Sequence, residues 1–215
     1  MLKKFFRQEK GITGLETAII LIAFVVVAAV FAYTVLSAGL FATQKTTESI
    51  YSGLKEAQSS IELKGGVIAM ANTTGANGTI KQLAFVVGVV AGGEPIDFTP
   101  PTANTTGNNG ISAANSSNKV TISYLDDNQE VRDLYWTVTR LGKSDGDYFL
   151  EENEKFEITV GNNVTGAGGG NMANALNPPL TPAKRFNLMV MTQTGAVLEL
   201  ERYTPAYFDP VMNLR

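Results

Sequence analysis

The chain has 215 residues, no cysteine and no histidine, with 17 basic side chains against 20 acidic ones for a net charge of −3. Without Cys or His it can build no disulfide framework, thiolate nucleophile, Ser-His-Asp triad or usual zinc site, so a domain outside the cell must be held by core burial alone. Four of the bases and one acid fall in the first eleven residues, leaving 13 bases against 19 acids in the rest, which argues against nucleic acid as a partner because that needs a basic face.

The chain opens MLKKFFRQEKG, with Lys3, Lys4, Arg7 and Lys10 against Glu9. After Glu16 no charge appears until Lys45, which makes 28 uncharged residues in succession, and fourteen of those between Thr17 and Ala42 are Leu, Ile, Val or Phe. As a helix rising 1.5 Å per residue this run spans roughly 42 Å, more than the hydrocarbon core of a bilayer. On an insertion scale its fourteen large apolar side chains contribute roughly −4 to −8 kcal/mol. The basic leader beside it predicts a cytoplasmic N-terminus and an outward C-terminal domain. A secretory signal removed after its apolar region fits poorly, since such regions are short and end in small residues.

The distinctive residues come before the run, in Lys10-Gly11-Ile12-Thr13-Gly14-Leu15-Glu16-Thr17-Ala18. A cut after Gly11 would place an ammonium on Ile12, at the start of a long helix, where it opposes the helix dipole. Glu16, fifth residue of the shortened chain, sits one turn further on and offers that ammonium a partner on its own or a neighbouring subunit. The plain alternative for Glu16 is an interfacial carboxylate at the edge of an anchor.

With these residues and the Val/Ala/Ile/Phe run behind them, residues 7–48 resemble the class III signal and helix of archaellins, the filament subunits of the archaeal flagellum, which belong with the type IV pilin-like proteins. The resemblance implies cleavage between Gly11 and Ile12 by a prepilin-peptidase-like signal peptidase, so that 1–11 is a leader and the apolar helix is retained. Bacterial pilins usually begin with Phe after the cut, and Ile12 favours the archaeal branch. The resemblance further implies membrane storage of the precursor, then a homo-polymer built by a membrane platform and its ATPase, with sister archaellins as possible co-subunits. The product would be an extracellular filament.

The helix is expected to run on from Ile12 to Leu63. Residues 43–63 turn polar but keep Ile50, Leu54, Ala57 and Ile61 at spacings of 4, 3 and 4, a narrow seam suited to a coiled coil or to the seating of the following domain. Lys64-Gly65-Gly66 supplies a stop. From there to residue 215 the period shortens to that of strands. Seven runs qualify: 66–71, 79–91, 119–125, 131–140, 155–161, 185–193 and 196–203. Alternation is plain in Val120-Thr121-Ile122-Ser123-Tyr124 and Phe156-Glu157-Ile158-Thr159-Val160, and Thr194-Gly195 reads as a hairpin. The fold class is therefore α+β, a long N-terminal hydrophobic helix followed by an immunoglobulin-like antiparallel β-sandwich, with Trp136 in the core of a central strand.

Residues 99–118 and 161–183 are rich in Gly, Asn, Thr and Pro and read as exposed, mobile loops. The acceptor pattern N-x-[ST] occurs at Asn72, Asn77, Asn104, Asn115 and Asn163, where roughly two or three matches are expected by chance at this composition. The resemblance extends N-glycosylation to all five as candidates. Two acidic stretches, Asp126 to Glu130 and Asp145 to Glu154, have the oxygen ligands that suit Ca²⁺, but the second breaks the EF-hand spacing and both read better as solvated turns. The sequence points to no cofactor and no catalytic site. The function it supports is a structural subunit polymerising through its N-terminal helix into the filament of swimming motility. The rivals are an adhesive archaeal pilin and a membrane-anchored β-sandwich binding module presenting 99–118 and 161–183, with an enzyme a distant third.

Overall fold

An uninterrupted apolar run with no proline gives the backbone no reason to leave the helical region, and residues Phe6–Gln58 form one α-helix, α1, of 53 residues. At 1.5 Å per residue α1 is about 80 Å long. This computed structural model describes residues 6–58, 60–104, 109–161 and 170–214, with side chains throughout except at 6–13 and 56–58. The chain separates into two units, residues 1–52 and 53–215.

The helix ends at Gln58, not at the expected Leu63. Ile61 fits the 4-3-4 seam by spacing, but Ile61 and Leu63 also alternate, and Ile61–Leu63 form strand β1 against Val87–Val89. Ile61 is only 8% exposed there. Serines 59 and 60 are indifferent helix formers, so burial of Ile61 and sheet hydrogen bonds outweigh another helical turn. Gly65 follows with φ 115°, a conformation that glycine adopts at no steric cost.

The remaining elements are β2 (Val67–Thr73), β3 (Thr79–Val89), β4 (Ile96–Asp97), β5 (Thr121–Asp126), β6 (Glu130–Val131), β7 (Trp136–Leu141), β8 (Phe149–Leu150), β9 (Lys155–Val160), a single-turn helix α2 (Met172–Ala175), β10 (Arg185–Met191), β11 (Val197–Tyr203) and β12 (Val211–Leu214). Six strands make one antiparallel sheet in the order β12-β2-β3-β9-β7, with β1 also on β3. Four make a second, β11-β10-β5-β6, and β4 pairs with β8. Inward residues of both main sheets merge into one core that includes Leu83, Phe85, Phe156 and Ile158 from the larger sheet and Ile122, Tyr124, Phe186 and Leu188 from the smaller. Phe98 joins it edge-on to both Trp136 and Phe156, at 6.1 Å between ring centroids in each case. The expected hairpin is present, with β10 and β11 in register from Arg185 opposite Tyr203 to Met191 opposite Val197, and Gly195 at φ 94° in its turn.

Three expectations are corrected. The run 131–140 is two strands in different sheets, β6 and β7, broken where Asp133 takes φ 58°. Trp136 is fully buried as expected, but on a strand at the end of its sheet, its core position made by Phe98 rather than by a central strand. The two polar stretches are also more ordered than their composition suggests. In the first, Ala103 bridges Ser112, Ile111 bridges Leu134, and buried Ser112 donates its hydroxyl to the Leu134 carbonyl at 3.2 Å. In the second, α2 carries Met172 into the core with Leu176 and Leu180, and Asn171 caps it by accepting from the Asn174 N–H at 3.1 Å. A few well-placed apolar side chains anchor segments whose average composition is polar; residues 105–108 and 162–169 lie outside the described residues.

Candidate assembly surface

The first functional surface is α1 itself. Every large apolar side chain from Leu15 to Leu54 is at least 50% exposed, and Phe24, Tyr33 and Val35 reach 70–72%. Successive helical residues point about 100° apart, so Ile19, Ile20, Leu21 and Ile22 together cover the whole circumference. Between Thr17 and Ala42 no face is reserved for water, and that part of the helix needs an apolar surrounding on all sides; the polar stretch from Thr43 on does not. By length and composition Gly14–Lys55 contains a stretch able to cross a membrane.

Its polar atoms are already satisfied along much of that length. Thr34 donates to the Phe31 carbonyl at 2.9 Å, Thr43 to Gly39 at 2.8 Å, Thr46 to Ala42 at 2.9 Å and Thr47 to Thr43 at 2.9 Å. These hydroxyls lose no partner when the helix moves from one apolar surrounding to another. Ala18, Ala23, Ala28, Ala29, Ala32 and Ala38 leave small contact points among the Val and Phe side chains, the kind of surface on which apolar helices approach closely.

At the leader end, Lys10, Gly11 and Ile12 lie on the helical backbone of α1, while their side chains are outside the described residues. Glu16 is exposed, one turn beyond Ile12. Among the sequons, Asn72 is exposed on β2 and its amide donates to the Thr79 hydroxyl at 3.3 Å; Asn77 and Asn115 are exposed in turns. Asn104 is half-buried beside the Ala103–Ser112 bridge, and Asn163 lies outside the described residues.

The acidic stretches do local work. Asp145 and Asp147 accept from the Asp147 N–H at 3.1 Å and the Phe149 N–H at 2.7 Å, and Glu154 accepts from the Asp145 and Glu151 N–H groups. Asp126, which the sequence offered as a turn carboxylate, ties its own hairpin together and, through the Gln129 amide, joins it to a second segment. It accepts from the Tyr124 hydroxyl at 2.8 Å and from the N–H groups of Asn128 and Gln129 at 2.6 and 3.0 Å. The Gln129 amide then donates to the Pro178 carbonyl at 2.7 Å and accepts from the Asn177 N–H at 2.8 Å. Burial pushes the Asp126 carboxyl up, but the hydrogen bonds from Asn128, Tyr124 and Gln129 outweigh it and leave the group below its ordinary value. Burial, with the carboxylate of Asp126 beside it, raises Tyr124. Among the described residues no three carboxylates converge on a common point. No sequence signal marks this knot, because its partners lie about fifty residues apart.

The sequence model of archaeal-type flagellin matches residues 11–202. The chain belongs to the archaeal-type flagellin family. Probable flagellin 1 of Archaeoglobus fulgidus is 38% identical to this flagellin over 216 residues, which cover 98% of each chain. Probable flagellin 1 of Aeropyrum pernix is 32% identical over 93% of this chain and 94% of its own. Among solved structures, the archaeal flagellum of Methanospirillum hungatei strain JF1 superposes with a TM-score of 0.59 at 28% identity, covering 94% of this chain and 98% of that one. The archaeal flagellin FlaB1 from Methanocaldococcus jannaschii shares the fold at 14% identity, with a TM-score of 0.52 over 73% of this chain and 96% of that one. A flagellin is a structural subunit, so the site of this chain is an assembly surface, and its place is an extracellular filament of its own copies.

Proposed function

We propose that this flagellin is made as a membrane-stored precursor, is cut between Gly11 and Ile12, and then polymerises through its N-terminal helix into a filament for swimming motility. The observation that carries the reading is the apolar surface that α1 exposes on every side between Leu15 and Phe41. That surface is satisfied equally by lipid and by a bundle of its own copies. Passage between the two is nearly apolar-to-apolar, so little desolvation opposes it. Several kcal/mol of insertion energy still hold the helix in the bilayer. Extraction therefore runs uphill and requires a membrane platform driven by an ATPase. The helical polymer needs a heterologous contact that does not close, so copies add without limit.

Lys10, Gly11 and Ile12 form the junction read by a prepilin-peptidase-like signal peptidase, and the cut leaves an ammonium on Ile12. An unpaired ammonium inside a helical bundle costs several kcal/mol, and Glu16 supplies the compensating charge. Asn72, Asn77 and Asn115, exposed on the outer domain, are candidate glycan carriers, with Asn104 and Asn163 offered by sequence. The leader and the division at 11/12 are tested by the mass of the native N-terminus. A chain beginning at Ile12 is expected, and one beginning at Met1 would overturn the reading. Glu16→Ala is expected to leave that cut intact while abolishing incorporation, read by electron microscopy of shed filaments; normal filaments from this variant would remove Glu16 from its role.

A further inference from the structure

A threonine hydroxyl that donates back to a helical carbonyl shares it with the N–H that already uses it, which lengthens the ladder on that side and bends the helix. α1 concentrates this effect in one place. Thr43 donates to the Gly39 carbonyl at 2.8 Å, and Thr46 and Thr47 donate to Ala42 and Thr43 at 2.9 Å each. At about 100° per residue, the three threonines fall within roughly 100° of one another on the helix circumference, and so do the carbonyls they share. The loosening is one-sided.

The opposite side is tied. Lys45 and Glu48 lie about half a circumference away from the threonines, with Nζ 2.6 Å from the carboxylate. Gly39, which supplies the first shared carbonyl, weakens the same turn. Neither space nor conformation asks for a glycine there, since its φ is not in the left-handed region and nothing stands within 4 Å of the position a Cβ would take. All of these features meet where the uncharged run ends and charge returns at Lys45.

We propose that residues 39–47 form a bending joint in α1, with the threonine side on the outside of the bend. Its use rests on the proposed change of host. Up to Ala42 the helix is surrounded by apolar groups, lipid first and its own copies later, whereas the polar residues beyond need no such surrounding. A joint at that exit lets the polar end of the helix take its direction independently of the held part, so one chain fits both hosts.

The chain has no cysteine, so introduced pairs can carry spin labels at chosen sites. Ala32→Cys with Ile50→Cys spans the joint, and Ile20→Cys with Ala38→Cys lies before it. In a straight helix each pair is five whole turns and about 27 Å apart on one face. Double electron–electron resonance on the full chain in detergent micelles is expected to give a broader distance distribution for 32/50 than for 20/38. Thr43→Val, Thr46→Val and Thr47→Val together keep the β-branched shape and remove the hydroxyls. They are expected to narrow the 32/50 distribution to that of 20/38 and to shift its mean toward the straight-helix value. A 32/50 distribution as narrow as 20/38 in the natural chain, or one that the triple substitution leaves unchanged, would overturn the joint. Circular dichroism is expected to show equal helix content in the natural and substituted chains; a broad distribution accompanied by lost helix would be fraying and would overturn it too. None of these readings depends on cleavage or polymerisation, so a native chain beginning at Met1 would overturn the change of host while the joint stands or falls on its own measurement.

Discussion

At the scale of single residues, Asp126 is a position where several local contacts of the β domain meet in one side chain. One carboxylate satisfies a core hydroxyl and two turn N–H groups, and through Gln129 it fixes the segment at Asn177 and Pro178. These bonds are only partly buried and charge-assisted, so replacing the carboxylate costs on the order of 1 kcal/mol, and Asp126→Asn should lower the thermal midpoint of the subunit by roughly 2–4 °C. Because folding holds this carboxyl below its ordinary value, its contribution is present above the ordinary carboxylate range and is lost as pH falls through the depressed folded value. Acid unfolding followed by circular dichroism should therefore show a loss of stability at low pH that is smaller in Asp126→Asn. An identical acid profile in the two chains would remove Asp126 from this role.

At the scale of elements, legibility followed whether a signal was local. The helix is plain because 28 residues without a charge admit few other readings, and β5, β9 and the β10–β11 hairpin are plain because their alternation or turn sits within a dozen residues. The proposed leader junction rests on Gly11, Ile12 and Glu16 together, whose order resembles that of a known family. What was hidden depends on distant partners. β1 was absorbed into the helix because Ile61 suits both periods, and only its pairing with Val89 decides between them. β12 is four residues with no turn signal after Pro210, and it becomes a strand because β2 lies beside it. The helix also yields the clearest test at this scale. A lysine at its middle opposes insertion by about 3 kcal/mol, roughly a hundredfold, and has no acid nearby in a bundle. Val27→Lys is expected to deplete both the membrane-bound precursor and the filaments, whereas Val27→Ile should leave both intact, as measured by membrane fractionation and filament yield. Full filament yield from Val27→Lys would mean that the helix is not the buried surface.

At the scale of the whole molecule, the two units carry different burdens. The β domain buries its own core, from Ile61 to Leu214, and its aromatic contacts among Phe98, Trp136 and Phe156 are internal. It therefore owes its stability to itself. The helix buries nothing among the described residues and owes its apolar surface to whatever surrounds it. A chain shortened to begin at Ser60 should for this reason fold without detergent, keep a thermal midpoint close to that of the detached full-length subunit, and remain monomeric by light scattering. Polymers formed by the shortened chain would shift the main assembly surface from α1 to the β domain, while a shortened chain that fails to fold would show that the domain draws stability from the helix after all.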